Sequence, residues 1–184
     1  MSELAVLRRM IDSTYSLLAA TVEGATEQQF SERPGPGLNP AGFLYFHVLR
    51  HWDRDVNILC RGQALESDAW HRGSFGDELD YHPLGLGLRG LGTGIGYTDD
   101  EVDAVPTNLE ILNRYQQMLY AETIDYMDEL DDSRINEEIE NPLAPVNPFT
   151  ISARLQHLVT HTSYHTGDIA YAMGAFGWHD ATRP

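Results

Sequence analysis

Residues 150–176 read TISARLQHLVTHTSYHTGDIAYAMGAF, and this stretch decides the fold. Ile151, Leu155, Leu158, Ile169, Met173 and Phe176 recur at helical spacing. Thr150 stands before them, and Gly174 with Gly177 marks the end, so a helix is expected over about 150–175. His157, His161 and His165 stand four residues apart on that helix and share one ridge. At about 100° per residue, His165 lies roughly 50° from the middle of the apolar stripe, His161 roughly 90° and His157 roughly 130°. The first two face inward or onto the boundary. His157 sits further out, near Tyr164 and Tyr171.

Upstream, three more helices are legible. Leu4, Leu7, Ile11, Thr14, Leu18 and Val22 draw one stripe over about residues 2–23. Arg33-Pro34-Gly35-Pro36-Gly37 breaks the chain, and Asn39-Pro40 has the form of a cap followed by Pro at the first helical position. A second helix would then run to about Arg61, stopped by Gly62. Thr107-Asn108-Leu109-Glu110 has the capping-box form, so a third helix should begin at Thr107, with Leu112, Tyr115, Leu119, Tyr126 and Leu130 on its stripe. Asn141-Pro142, Pro145 and Asn147-Pro148 would end the next connection. About 44 Gly-rich residues separate helices two and three, too many for a hairpin turn. A connection of that length can carry the chain back along the molecule and let helices two and three run parallel. The expected architecture is all-α: a four-helix bundle with one long crossover, in a single domain over 1–184.

Five of the eight histidines fall on helices two and four: His47, His51, His157, His161 and His165. In helix two, Tyr45, Leu49, Trp52, Val56 and Leu59 form one apolar face, and Phe43, Leu44 and Ile58 form a second, which carries the histidines. Two apolar faces imply packing on both sides, against the bundle and against either the loop or a second subunit. The Tyr45/Leu49/Trp52 stripe and the helix-one surface are the candidate dimer faces. Two imidazoles one turn apart can reach one ion, and a third from a neighbouring helix completes a set with a position left open. His161, His165 and His47 meet that requirement. The alternative is that all five are ordinary polar residues at the edge of the bundle. His51 is a candidate base or supporting group, Asp55 one turn later could fix its tautomer, and His157 could orient a ligand.

Composition narrows the function. With 12 Arg, no Lys and 28 acidic residues the net charge is −16, which repels phosphate backbones and anionic lipid. Neither nucleic acid nor membrane is an expected partner. No apolar run approaches the ~18–20 residues of a transmembrane helix, and residues 1–16 lack the form of a secretory signal. Cys60 stands alone, so no internal disulfide is possible, in keeping with a reducing cytoplasm. His-Glu-x-x-His, Glu-x-x-His and Cys-x-x-Cys are all absent. Without Lys there is no P-loop or Schiff-base lysine. Gly85-Leu86-Gly87-Leu88-Arg89-Gly90 matches G-x-G-x-x-G, but Pro83 precedes it and neither strand nor helix flanks it, so no nucleotide cofactor site is expected. Cys60 reads as a structural thiol among apolar neighbours, and the Asp128–Asp132 acidic run as a solvated helix end.

Gln156–Ile169, with its row of histidines, resembles the last-helix signature of the DinB-like metalloprotein family (DinB/YfiT), which is distinct from the DNA polymerase of similar name. Arg33–Pro40, followed by Phe43-Leu44-Tyr45-Phe46-His47, resembles the start of that family's second helix, and Gly94–Val102 resembles an actinobacterial-type branch. The resemblance implies an up-down-down-up bundle, often dimeric. It implies one nickel- or zinc-type divalent ion held by one helix-two and two helix-four histidines, carried over here to His47, His161 and His165. Many relatives carry Arg and Gln after the last His, where this chain has Thr166 and Asp168. Relatives include S-transferases and isomerases that use low-molecular-weight thiols. A metal-dependent thiol S-transferase acting on a small molecule is therefore expected; a metal-dependent hydrolase or a non-catalytic metal-binding stress-response or sensor module is the alternative.

Overall fold

The computed structural model describes residues 2–140 and 149–177. The expected breaks at Asn141-Pro142, Pro145 and Asn147-Pro148 lie outside the described residues. The described chain is mostly helical: α1 (Glu3–Val22), α2 (Glu27–Ser31), α3 (Ala41–Asp53), α4 (Ala69–Arg72), α5 (Phe75–Leu79), α6 (Asp99–Asp103), α7 (Leu109–Asp128) and α8 (Ile151–Gly174). Strands β1 (Glu138–Ile139) and β2 (Phe149–Thr150) form a two-residue antiparallel ladder, with Glu138 opposite Thr150, that leads into α8.

The helices begin where their capping chemistry allows. Ser2 accepts from the Ala5 N–H at the start of α1, and Thr150 accepts from Ala153 at the start of α8. Two expectations need correcting. Helix α7 starts two residues later than Thr107, because the Asn108 side chain accepts from the Ile111 N–H and takes the cap itself. Thr107 instead packs its side chain against Gly42, where a Cβ would lie 2.4 Å from the Thr107 methyl. Pro40, and not Asn39, is the N-cap of α3, with no side-chain cap bond. Past Asp53 the helix loosens into π geometry over Arg54–Cys60 and stops at Gly62, whose φ is +69°.

Leu7, Ile11, Thr14, Leu18 and Val22 of α1 are buried as their spacing requires, each large apolar side chain stabilising by roughly 1.5–3 kcal/mol. Side-chain pairs set the helix directions. Arg8 pairs with Asp128, and the Tyr120 hydroxyl donates to Asp12 at 2.8 Å, so α1 and α7 are antiparallel. Ser152 donates to Glu3, and Val6 to Ser13 line one groove with Val159 and Ser163, so α1 and α8 are parallel. Tyr45 meets Asn113 and Gln116, and the Trp52 indole donates to Thr123, so α3 and α7 are parallel. The Asp55–Arg154 and His47–His161 contacts make α3 and α8 antiparallel. The order is up-down-down-up.

The 63–106 crossover is a folded cap, with three short α-helices where the sequence reading has one loop. Its aromatic side chains lie on α3: Tyr97 lies against Phe43, and Trp70 and Tyr81 edge onto Phe46. The cap therefore covers Phe43 of the second apolar face together with Phe46, while the histidines of that face pack on α8. The Tyr45/Leu49/Trp52 stripe is itself enclosed within the single chain, at 0–1% exposure, and offers no face to a second copy. Gly94 (φ +89°) explains one glycine of the cap: a Cβ there would sit 3.1 Å from His47 Nδ1 and from the Phe43 ring. The Gly85–Gly90 motif is a tight turn closed by the Gly85 N–H donating to the Gly90 carbonyl at 2.9 Å. Among the described residues no helix is long and apolar enough to cross a membrane.

Candidate metal centre

The antiparallel packing of α3 on α8 brings their histidines together. Ring centroids lie 5.1 Å apart for His47 and His161, 4.9 Å for His47 and His165, and 4.6 Å for His161 and His165. By ring distance the three residues predicted as ligands lie together, but His165 is not among those whose ring nitrogens group tightly enough to share an ion. His51 joins the cluster, 4.6 Å from His47 and 4.4 Å from His161. One ring nitrogen each of His47, His51 and His161 can be chosen so that all three lie within 4.8 Å of one another, a grouping that could hold a metal ion. His157 stacks on His161 at the outer edge, with about half of its side chain exposed, as its angle on the helix implied.

The cluster is oriented from outside. His47 Nδ1 lies 2.6 Å from the Thr93 carbonyl, which can only accept, so this nitrogen carries the proton and Nε2 keeps its lone pair. His165 Nδ1 lies 2.9 Å from the Asp168 carboxylate, the same arrangement in a different chemical form. Imidazoles that donate their second N–H to a carbonyl or carboxylate are held in the tautomer and angle that metal binding needs. Sequence reasoning missed Thr93, since a backbone carbonyl in a loop has no sequence signal. Asp168 was visible only as a departure from the family pattern.

Asp55 does not serve His51. Its carboxylate accepts from Arg154 Nη1 at 3.2 Å and faces His157 Nδ1 at 3.0 Å. The backbone passes from α to π geometry between residues 51 and 55, so one-turn spacing no longer stacks the two side chains. The result is an Asp55–His157 pair backed by Arg154, beside the main cluster. His51 is left 6% exposed with neither ring nitrogen hydrogen-bonded. A buried polar atom without a partner costs roughly 1–3 kcal/mol, so an unfilled imidazole here is expensive unless something binds it.

Electrostatics keep the lone pairs free. Burial, partly offset by the Thr93 hydrogen bond, holds His47 down at about 4. Burial and the neighbouring imidazoles hold His161 at about 3 and push His51 lower still. All three are neutral near pH 7, the form that ligates a metal. No carboxylate belongs to the grouped nitrogens, and an all-imidazole set suits zinc, nickel, copper or iron better than magnesium or calcium. The residues present therefore fit a transition-type divalent ion. Cys60 is no rival nucleophile: burial pushes its thiol up, and Asp55 adds to the shift.

A cleft of about 320 Å³ opens beside this centre, lined by Pro34, Leu38, Leu44, Asp168, Tyr171 and Ala172. Asp168 is common to both, with its carboxylate on His165 and its side chain in the cleft wall.

On the other side of α3 lies a second buried polar group that sequence reading also missed. Arg50 donates to the Gly92 carbonyl at 3.2 Å and pairs with Asp68 at 2.8 Å. Asp53 accepts from the Ala69 and Trp70 N–H groups at the start of α4, from Asn57 and from the Tyr115 hydroxyl. This network ties the cap to α3 next to Thr93, and so holds the carbonyl that orients His47.

A mostly helical fold with an imidazole cluster that could hold a metal ion between two long helices defines the class of the protein. The chain belongs to the DinB superfamily, whose sequence model matches residues 10–169. A search of curated proteins found no match. The crystal structure of a conserved protein from Enterococcus faecalis has the same fold, with a TM-score of 0.77, 18% identity, and coverage of 97% of this chain and 99% of the other.

Proposed function

We propose that this protein is a divalent-metal-dependent enzyme that transfers a small thiol to an acceptor molecule, with His47, His161 and His165 holding the ion. One observation carries the reading. His47 on α3 and His165 on α8 each have Nδ1 tied to an acceptor outside the cluster, which leaves Nε2 of each as a free lone pair beside His161. The ion supplies Lewis acidity, which lowers the pKa of a thiol or water presented to it. The chain's own residues do the rest. Thr93 and Asp168 hold two ligand rings in place, and the buried His47, His51 and His161 stay neutral. The Leu38/Leu44/Tyr171 cleft is more apolar than polar and suits the carbon skeleton of an acceptor beside His165. His157, half exposed at the edge and paired with the buried Asp55, would take or give a proton on the solvent side. The choice of thiol over water rests on the family resemblance.

Metal analysis of purified protein should find about one nickel or zinc ion per chain. A small thiol added to the cobalt-loaded protein should change its visible and near-ultraviolet absorption, because a soft thiolate ligand adds sulfur-to-metal charge transfer that an oxygen ligand lacks. No spectral change at millimolar thiol, with metal fully bound, would overturn the transferase reading and leave a hydrolase or a non-catalytic binding module.

A further inference from the structure

We infer that His51 is itself a ligand of the bound ion, so that four imidazoles hold it: His47, His51, His161 and His165. The inference rests on the metal-binding reading of the cluster and adds to it a residue outside the one-plus-two histidine set that the family resemblance implies.

Three observations carry it. His51 lies inside the cluster, with its ring 4.6 Å from His47 and 4.4 Å from His161, and these three are the residues whose ring nitrogens group within 4.8 Å. Both of its ring nitrogens are buried without a hydrogen bond, whereas His47, His157 and His165 each have Nδ1 engaged. An outer-shell role works through a hydrogen bond to a ligand residue or an orienting group, and His51 makes none: Asp55, the carboxylate one turn away, is committed to Arg154 and His157. Coordination satisfies one of its nitrogens with a lone pair it already has. The cleft lies on the His165 and Asp168 side of the cluster, and four neutral imidazoles would leave a bound ion its full positive charge.

The test uses the full-length protein stripped of metal and titrated with Co²⁺. X-ray absorption of the wild-type cobalt protein should count four imidazoles. His51→Ala and His51→Gln should each count three and bind Co²⁺ more than about 100-fold more weakly, beyond the 10–100-fold that losing an outer-shell partner costs. Three imidazoles in the wild type would overturn the inference while leaving the metal reading intact, and that count needs no variant to fold. Affinity losses of less than about tenfold in both variants, with circular dichroism unchanged, would overturn it equally. Wild-type protein that takes up no Co²⁺ would overturn the inference and the metal reading together.

Discussion

Helix α3 carries two buried polar clusters that differ in kind. Around Arg50 and Asp53 the charged groups are paired: Asp53 accepts from two backbone N–H groups, Asn57 and Tyr115, and Arg50 is shared between Asp68 and the Gly92 carbonyl. Around His47 and His51 the orienting bonds stop at the outer nitrogens, and lone pairs are left inside the cluster. A satisfied network fixes one arrangement of the backbone. A cluster left with free lone pairs stores binding capacity. Here the first supports the second, because the cap that Arg50 and Asp53 hold down supplies the Thr93 carbonyl to His47.

The sharpest way to break this contrast is Asp53→Ala. It leaves Arg50 with a weakened counter-charge in the core and several donors unpaired, so unfolding in denaturant should show a loss of about 3–5 kcal/mol in the metal-free protein. A loss below about 1 kcal/mol would mean that the network is not structural.

His161→Ala should do the opposite: bound metal should fall from about one ion per chain to almost none, while metal-free stability changes little. His71→Ala, on the structural side, should keep its metal, since His71 faces Asp68 and not the cluster. Equal metal content in His161→Ala and His71→Ala would erase the distinction between the two regions.

Acid should act on the imidazole cluster first. His47 titrates near 4 in the folded chain but near ~6.5 when unfolded, so between those values the unfolded chain binds more protons. Stability of the metal-free protein should therefore fall as pH drops from about 6.5 to about 4, by on the order of 3 kcal/mol from this residue. His47→Gln should flatten that slope. An unchanged pH profile would show that His47 is not caged as described.

The smallest effect is expected at the rim. Asp168→Ala removes the acceptor from His165 Nδ1 without removing a ligand, and should weaken metal binding about 10–100-fold. Isothermal titration against wild type would read it, and an unaltered affinity would mean that Asp168 does not orient His165.

Most of the scaffold was legible before any tertiary structure. The stripes of α1 and α8 needed only period and caps, because burying one face of a long helix constrains every third or fourth residue. The four-residue spacing of His157, His161 and His165 was legible for the same reason. The start of α7 was misplaced by two residues because Thr107 and Asn108 compete for one capping role, and the choice went to the residue whose rival packs against Gly42. The cap's short helices escaped notice because four- and five-residue helices carry too few turns for a period to show.

The sequence by itself determined the helical class, the lengths of the long helices and the set of histidines that could meet. Those follow from local periodicity, which each segment carries in its own residues. Only the tertiary structure decided which histidines have partners. Asp55 went to His157 and Arg154 and left His51 bare, because a π turn shifted one side chain relative to the other. Thr93 came to His47 from a loop 46 residues away, drawn there by the Arg50 and Asp53 bonds. Contacts of that kind depend on backbone groups and on long-range packing, and neither leaves a pattern in the order of residues along the chain.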